Sequence, residues 1–112
     1  MKIAFTSTGT TWESLIDPRF GRTEYIVIYD EEKNELTAID NSEVKNEAHG
    51  AGTATAQKIF NLKPDVLITG NGPGETAGAA LKHIKIEILV GAHDMTIKEA
   101  YENYKNNKLQ KA

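Results

Sequence analysis

Residues 65–74 read Asp65-Val66-Leu67-Ile68-Thr69-Gly70-Asn71-Gly72-Pro73-Gly74 (DVLITGNGPG), and the apolar centre of this run decides the fold. A strand without polar alternation is buried on both faces, which places it in the middle of a sheet covered by helices. Its flanks agree. Before it, residues 51–62 repeat small and apolar residues in a helical pattern. Lys63-Pro64 ends that pattern, because proline pushes its predecessor out of the helical region. After it, Ala77, Ala80, Leu81 and Ile84 fall at i, i+3, i+4 and i+7, which predicts a second helix with one apolar stripe. Ile86 to Val90 predicts a further strand. A last helix carries Ile97, Ala100, Tyr101 and Tyr104 on one stripe, and Thr96 with Glu99 makes a capping box at its start.

Upstream of residue 51 the pattern is that of strands. Lys2–Thr6 is one, and Glu24–Asp30 is a second, in which Tyr25, Val27 and Tyr29 alternate with Ile26 and Ile28. Leu36–Ile39 follows the turn-like EEKNE as a third. Short connections make these antiparallel neighbours. The order βββαβαβα, with right-handed crossovers, predicts an α/β protein with a ribonuclease H-like three-layer fold. Its five-stranded mixed sheet has order 3-2-1-4-5, with strand 2 antiparallel and helices on both faces. Residues 1–112 form a single domain on this reading, and the polar tail KNNKLQKA is expected to fray after about residue 106.

Composition narrows the function. The chain has 112 residues, 39% of them hydrophobic and 26% charged, as expected of one globular domain. A net charge of -3 lacks the basic face that displaces counterions from nucleic acid, so no nucleic-acid partner is expected. No apolar run is long enough to span a bilayer, and MKIAFTSTG turns polar before a signal-peptide core forms, which reads as a cytoplasmic protein without a membrane partner. The absence of cysteine excludes a disulfide, a thiolate nucleophile and any cysteine-ligated zinc or iron–sulfur site.

In the predicted topology strands 1, 3, 4 and 5 point the same way. The segments at 7–23, 41–50, 70–74 and 91–95 then emerge at one carboxyl edge, where α/β proteins bind ligands. Four features lie there. His49 precedes Gly50 and Gly52 at a helix start, where unpaired N–H groups attract anions and an imidazole can ligate metal. The alternative is a capping or solvated histidine. Gly70, Asn71, Gly72 and Gly74 can bring backbone amides to an anion, although the run fits neither a Walker loop nor GxGxxG, and tight turning explains it equally well. His93, before the last helix, is a second histidine at the edge and a weaker metal candidate. In DPRFGR (17–22), Arg19 and Arg22 suit planar recognition of carboxylate or phosphate, with Phe20 anchoring the loop and Gly21 permitting a tight backbone. The competing reading packs Phe20 into the core and pairs the arginines with Glu13 or Glu24.

Trp12 and Asp17 either line a pocket or pin the first loop to the body. His83, after the end of the second helix, suits the helix dipole and is assigned no chemistry. Ser7, Thr8 and Thr10 have no base and orienting acid beside them, which disfavours a hydrolase. Strand 1, KIAFT, supplies no carboxylate for two-metal phosphoryl transfer.

The chain resembles the dinitrogenase iron-molybdenum cofactor biosynthesis family, the NifX, NafY and NifB C-terminal type of domain. The resemblance runs through MKIAF, DPRFGR with TEYIVIYD, HGAG, DVLITGNGPGETAGAAL and IKIEILVGAHDMTIKEAYENYKNNKL, nearly the full length. It implies a ribonuclease H-like fold without nuclease activity. It also implies a non-enzymatic protein that binds or carries an iron–sulfur or iron-molybdenum cluster, in contact with cofactor-assembly proteins. On that implication Arg19, Phe20, Gly21, Arg22, His49, Gly50, Gly70, Asn71 and Gly72 form the cofactor-binding set, with His49 and, more weakly, His93 as metal ligands. Two positions depart from the family pattern: Arg19 stands where many members have histidine, and GAHD (91–94) stands where GASG is common. The alternative function is a regulatory or adaptor domain whose edge binds a nucleotide, a phosphorylated metabolite or a protein partner without metal. Either is expected to act as a monomer or weak homodimer.

Overall fold

The computed structural model describes residues 1–45, 50–72 and 85–111. The central run forms the short strand β4 (Val66–Ile68), all three residues buried. β1 (Lys2–Ser7) lies parallel to it on one side and β5 (Glu87–Val90) on the other. β2 (Tyr25–Asp30) pairs antiparallel with β1, and β3 (Glu35–Asp40) antiparallel with β2. The expected order 3-2-1-4-5 is present, but the sheet has six strands, in the order β3-β2-β1-β4-β5-β6.

The sixth, β6 (Gln110–Lys111), corrects the expectation of five strands and a frayed tail. Asn107 takes a left-handed φ of 57° and turns the chain back. Leu109 packs against the core, Gln110 and Lys111 pair antiparallel with Val90 and Leu89, and Lys111 meets Glu87 at 3.5 Å. Two residues are too few to carry a strand periodicity, so this pairing is a tertiary effect acting on a polar segment.

Helices cover both faces. α2 (Ala51–Leu62) packs Ala56 and Ile59 against Ala4, Ile26, Ile28 and Leu67. α3 (Ile97–Lys105) packs Ile97 and Ala100 against Ile3, Phe5, Val27, Val66, Ile68 and Leu89. Ile3 and Phe5 face one way and Ala4 the other, the two-residue alternation of a strand with both faces buried. The expected capping box is formed, Thr96 Oγ1 accepting from the Glu99 amide at 3.1 Å and Glu99 Oε1 from the Thr96 amide at 3.1 Å. A short α1 (Ser42–Lys45), not anticipated, follows β3. The helix expected from Ala77 to Ile84 lies outside the described residues.

Candidate ligand-binding edge

Because β1, β3, β4 and β5 run the same way, the segments that follow them leave the sheet at one edge. The first loop is tied down by Asp17, whose side chain is 1% exposed. Oδ1 accepts from the Arg19 amide at 3.0 Å and from Arg19 Nε at 3.1 Å, while Oδ2 accepts from Arg19 Nη2 at 3.1 Å and the Glu24 amide at 3.1 Å. A carboxylate with four donors is fully satisfied despite burial. The arginine is held side-on, more firmly protonated by its hydrogen bond to Asp17 and by that residue's charge. Its side chain stays 55% exposed, and Nη1 makes no hydrogen bond to a described residue. The ion-pair partner of Arg19 is thus Asp17, and the charge of Glu24 adds to that hold. Arg22 is exposed beside it.

Phe20 points the other way, 4% exposed in the core beneath α2, so it anchors the loop instead of lining a site. Gly21 lies so close to the start of α2 that a Cβ there would sit 2.8 Å from both the nitrogen and the Cα of Gly52, and its carbonyl accepts from Thr55 Oγ1 at 2.8 Å. Gly50, the N-cap, takes a φ of 77°. The N-terminus of α2 has no side-chain cap and no acidic residue in its first turn. By contrast the start of α3 is satisfied by the first loop, with the Ile97 amide on the Ser14 carbonyl at 2.9 Å and the Lys98 amide on the Trp12 carbonyl at 3.0 Å.

The segments after β4 and β5 close on the same loop. A Cβ at Gly70 would lie 2.7 Å from Pro18 Cα and 3.2 Å from His93 Cβ. The Asn71 amide donates to the Pro18 carbonyl at 3.0 Å, so this amide serves the fold and is not presented to a ligand. Gly72 approaches Val90, and His93 is exposed. Below them, Thr6 and Thr69 hydroxyls lie 2.8 Å apart, Thr6 also reaching the Asp17 carbonyl at 2.8 Å and Thr69 the Asn71 carbonyl at 3.2 Å. Asn41, fully buried, donates to the Thr23 carbonyl and Thr55 Oγ1 at 3.1 Å each.

Arg19, Gly21, Arg22, Gly50, Gly70, Asn71, Gly72 and His93 thus share one edge, while His49, Gly74 and His83 lie outside the described residues. No three His, Asp or Glu side chains come together there as a metal set among the described residues. Sequence reasoning missed Thr6, Thr69, Thr55 and Asn41 as supports of the edge, and left Asp17 between pinning the first loop and lining a pocket. The one available signal was Asp17 two residues before Arg19, a spacing at which a carboxylate reaches following backbone amides.

A separate cavity of about 500 Å³ opens between α3 and β2, lined by Trp12, Tyr29 and Tyr101 with charged residues at its rim. Its rings already pack on one another, with centroids 4.8 Å (Trp12–Tyr29) and 5.3 Å (Tyr29–Tyr101) apart, and Lys105 sits over Tyr101. It lies apart from the loop edge. Trp12 thus belongs to this cluster, whereas Asp17 pins the first loop.

A mixed α/β sheet with several loops gathered at its carboxyl edge, carrying guanidinium groups and glycine-mediated backbone contacts, defines a small α/β protein with one candidate ligand edge. Its lineage is specific: residues 1–107 match the model for the dinitrogenase iron-molybdenum cofactor family, and the chain belongs to that family. Among solved structures, the apo form of the orange protein from Desulfovibrio gigas is 30% identical, covers 99% of this chain and 92% of its own, and superposes with a TM-score of 0.92. A Thermotoga protein described as NifB is 26% identical, with 98% and 91% coverage and a TM-score of 0.82. No curated protein sequence matches the chain significantly. No described helix is long and apolar enough to cross a membrane.

Proposed function

We propose that this protein is a non-enzymatic carrier of a preassembled, anionic metal–sulfur cluster of the iron–sulfur or iron-molybdenum kind, held at the loop edge on a ribonuclease H-like scaffold. The observation that carries this reading is Arg19, fixed by a buried carboxylate yet half exposed, in a family named for the iron-molybdenum cofactor. A guanidinium cannot ligate a metal, but it recognises an anion through directed N–H donors. Arg22 and the α2 N-terminus add positive potential beside it. Cysteine is absent from the chain, and the described residues assemble no metal set. This donor set therefore suits a cluster that brings its own sulfide ligands better than a bare ion that needs protein ligands. His49 is the proposed direct ligand and His93 a weaker one.

The test is anaerobic purification from the native host, with iron, molybdenum and sulfide measured alongside the visible spectrum, for the wild type and for His49→Ala and Arg19→Ala. Bound metal and sulfide in stoichiometric amount, with affinity for a supplied cluster reduced about tenfold or more in either variant, is the expected result. A protein that is metal-free as isolated and takes up no supplied iron–sulfur cluster would overturn it.

A further inference from the structure

Asn71 is the only asparagine of the chain followed by glycine. In that context an asparagine can react with its own main chain: the next amide nitrogen attacks the side-chain carbonyl carbon, and a residue without Cβ leaves the approach open. The reaction needs a side-chain amide free to turn and a following N–H not committed to a hydrogen bond. Residues 71 and 72, both exposed at the loop edge, meet the two conditions. Neither the Asn71 side chain nor the Gly72 amide makes a hydrogen bond among the described residues. The other described asparagines fail. The amides that follow Asn41, Asn106 and Asn107 are held by Asp40 Oδ1 at 2.7 Å, the Tyr104 carbonyl at 3.1 Å and the Asn103 carbonyl at 2.9 Å. Asn61 and Asn103 are followed by helical residues, and Asn34 accepts from the Tyr29 hydroxyl at 2.8 Å just before β3 begins.

Turning into the attack geometry breaks one tie among the described residues. The Asn71 amide stays on the Pro18 carbonyl at 3.0 Å, but the Asn71 carbonyl must rotate with the 71–72 peptide and leave Thr69 Oγ1, its donor at 3.2 Å. Thr69 keeps Thr6 Oγ1 at 2.8 Å, and Thr6 gives its own proton to the Asp17 carbonyl, so Thr69 can turn its proton to Thr6. Releasing Asn71 therefore leaves no buried hydroxyl unsatisfied.

We propose that Asn71 is a self-modification site, at which the Gly72 nitrogen displaces the side-chain amide. That nitrogen loses its proton to water or hydroxide as its bond to Asn71 Cγ forms, the Cγ–Nδ2 bond breaks and ammonia leaves. Water then opens the cyclic imide at either carbonyl. The net change consumes water, releases ammonia, and leaves aspartate or isoaspartate in place of asparagine, with no other co-reactant. The product puts a carboxylate on the edge that carries Arg19 and Arg22, and isoaspartate also lengthens the main chain by one carbon. An added negative charge there opposes the capture of an anion. On the carrier reading, on which this consequence rests, the modified protein holds an anionic cluster more weakly, so the reaction limits the working life of the edge.

The test is intact-mass measurement and peptide mapping of the full chain kept in warm, mildly alkaline buffer, both native and in urea. The native protein is expected to gain about one mass unit, located at Asn71 as aspartate and isoaspartate, while the other asparagines stay unchanged over the same period. Gly72→Ala should slow the gain about tenfold or more, because the added Cβ hinders the attack. The fold tolerates that methyl group: it would meet Val90 Cγ1 at 3.3 Å, and Gly72 does not use a positive φ. No gain in the native protein, whether or not urea restores it, would overturn the proposal. So would a gain placed at another asparagine, or one that Gly72→Ala leaves untouched. Fresh and aged forms, separated by charge, are then offered a supplied iron–sulfur cluster, and weaker uptake by the aged form is expected. Equal uptake would overturn the consequence for the edge, whereas no uptake by either form would fail the carrier reading and leave the modification standing.

Discussion

Asp17 and Arg19 look like equals in DPRFGR, but the structure gives them different work. The carboxylate is buried under four donors, two of them backbone amides, whereas the guanidinium is half in water. Asp17→Asn leaves a buried donor facing a donor and should cost about 2–3 kcal/mol, read from the urea midpoint. Arg19→Ala keeps the backbone bonds and loses only a solvent-screened pair, so it should cost under about 1 kcal/mol while still impairing the proposed cluster uptake. A larger loss for Arg19→Ala than for Asp17→Asn would mean that the arginine supports the fold more than the site. The arginines were legible from the sequence because their chemistry is unusual in an acidic chain. The geometry around Asp17 was not, because it depends on Glu24 and Thr6 arriving from elsewhere.

At the scale of elements, long patterns were legible and short ones were not. α2 matches its expected bounds at Ala51 and Leu62, since proline stops it and its periodicity spans three turns. α1 and β6, with four and two residues, hold too little pattern to read and depend on what they pack against. The site depends on one contact between elements that no local signal announces, the approach of Gly21 to Gly52. Gly21→Ala forces a methyl group into backbone that cannot yield as a side chain would, and should cost about 1–3 kcal/mol while displacing the first loop from α2. The urea midpoint and the amide shifts of residues 50–55 measure the two effects separately. An unchanged midpoint would show that the loop shifts without cost.

For the whole molecule, the α3 face is closed by a ring of aromatics that also sets its behaviour at high pH. Tyr101 donates to Glu31 at 2.5 Å, and burial first, then that bond, push its phenol above the ordinary value of 10.0. A phenol that ionises more easily unfolded than folded stabilises the fold fully below pH 10.0 and loses that contribution as pH rises beyond it. Tyr104 is shifted the same way, mainly by burial. Stability should therefore fall through the alkaline range, and Tyr101→Phe should flatten that fall in denaturation curves taken at successive pH values. An equally steep fall in the variant would assign it to other groups. The strand order and the shared loop edge were legible from the sequence at this scale, because connection lengths and crossover handedness leave few choices. The aromatic face was not, since Trp12, Tyr29 and Tyr101 lie far apart along the chain.

The direction of the outer strands settles how such a molecule can be attached to anything else. β1 starts, and β6 runs, toward the side of the sheet opposite the loops, and the Tyr104 hydroxyl donates to Met1 Sδ at 3.2 Å on that same side. A tether fixed at Met1, whether a surface, a tag or a fused domain, leaves the loops pointing away from its anchor. Held by that end, the molecule presents its loop edge outward, like a hand extended from the wrist.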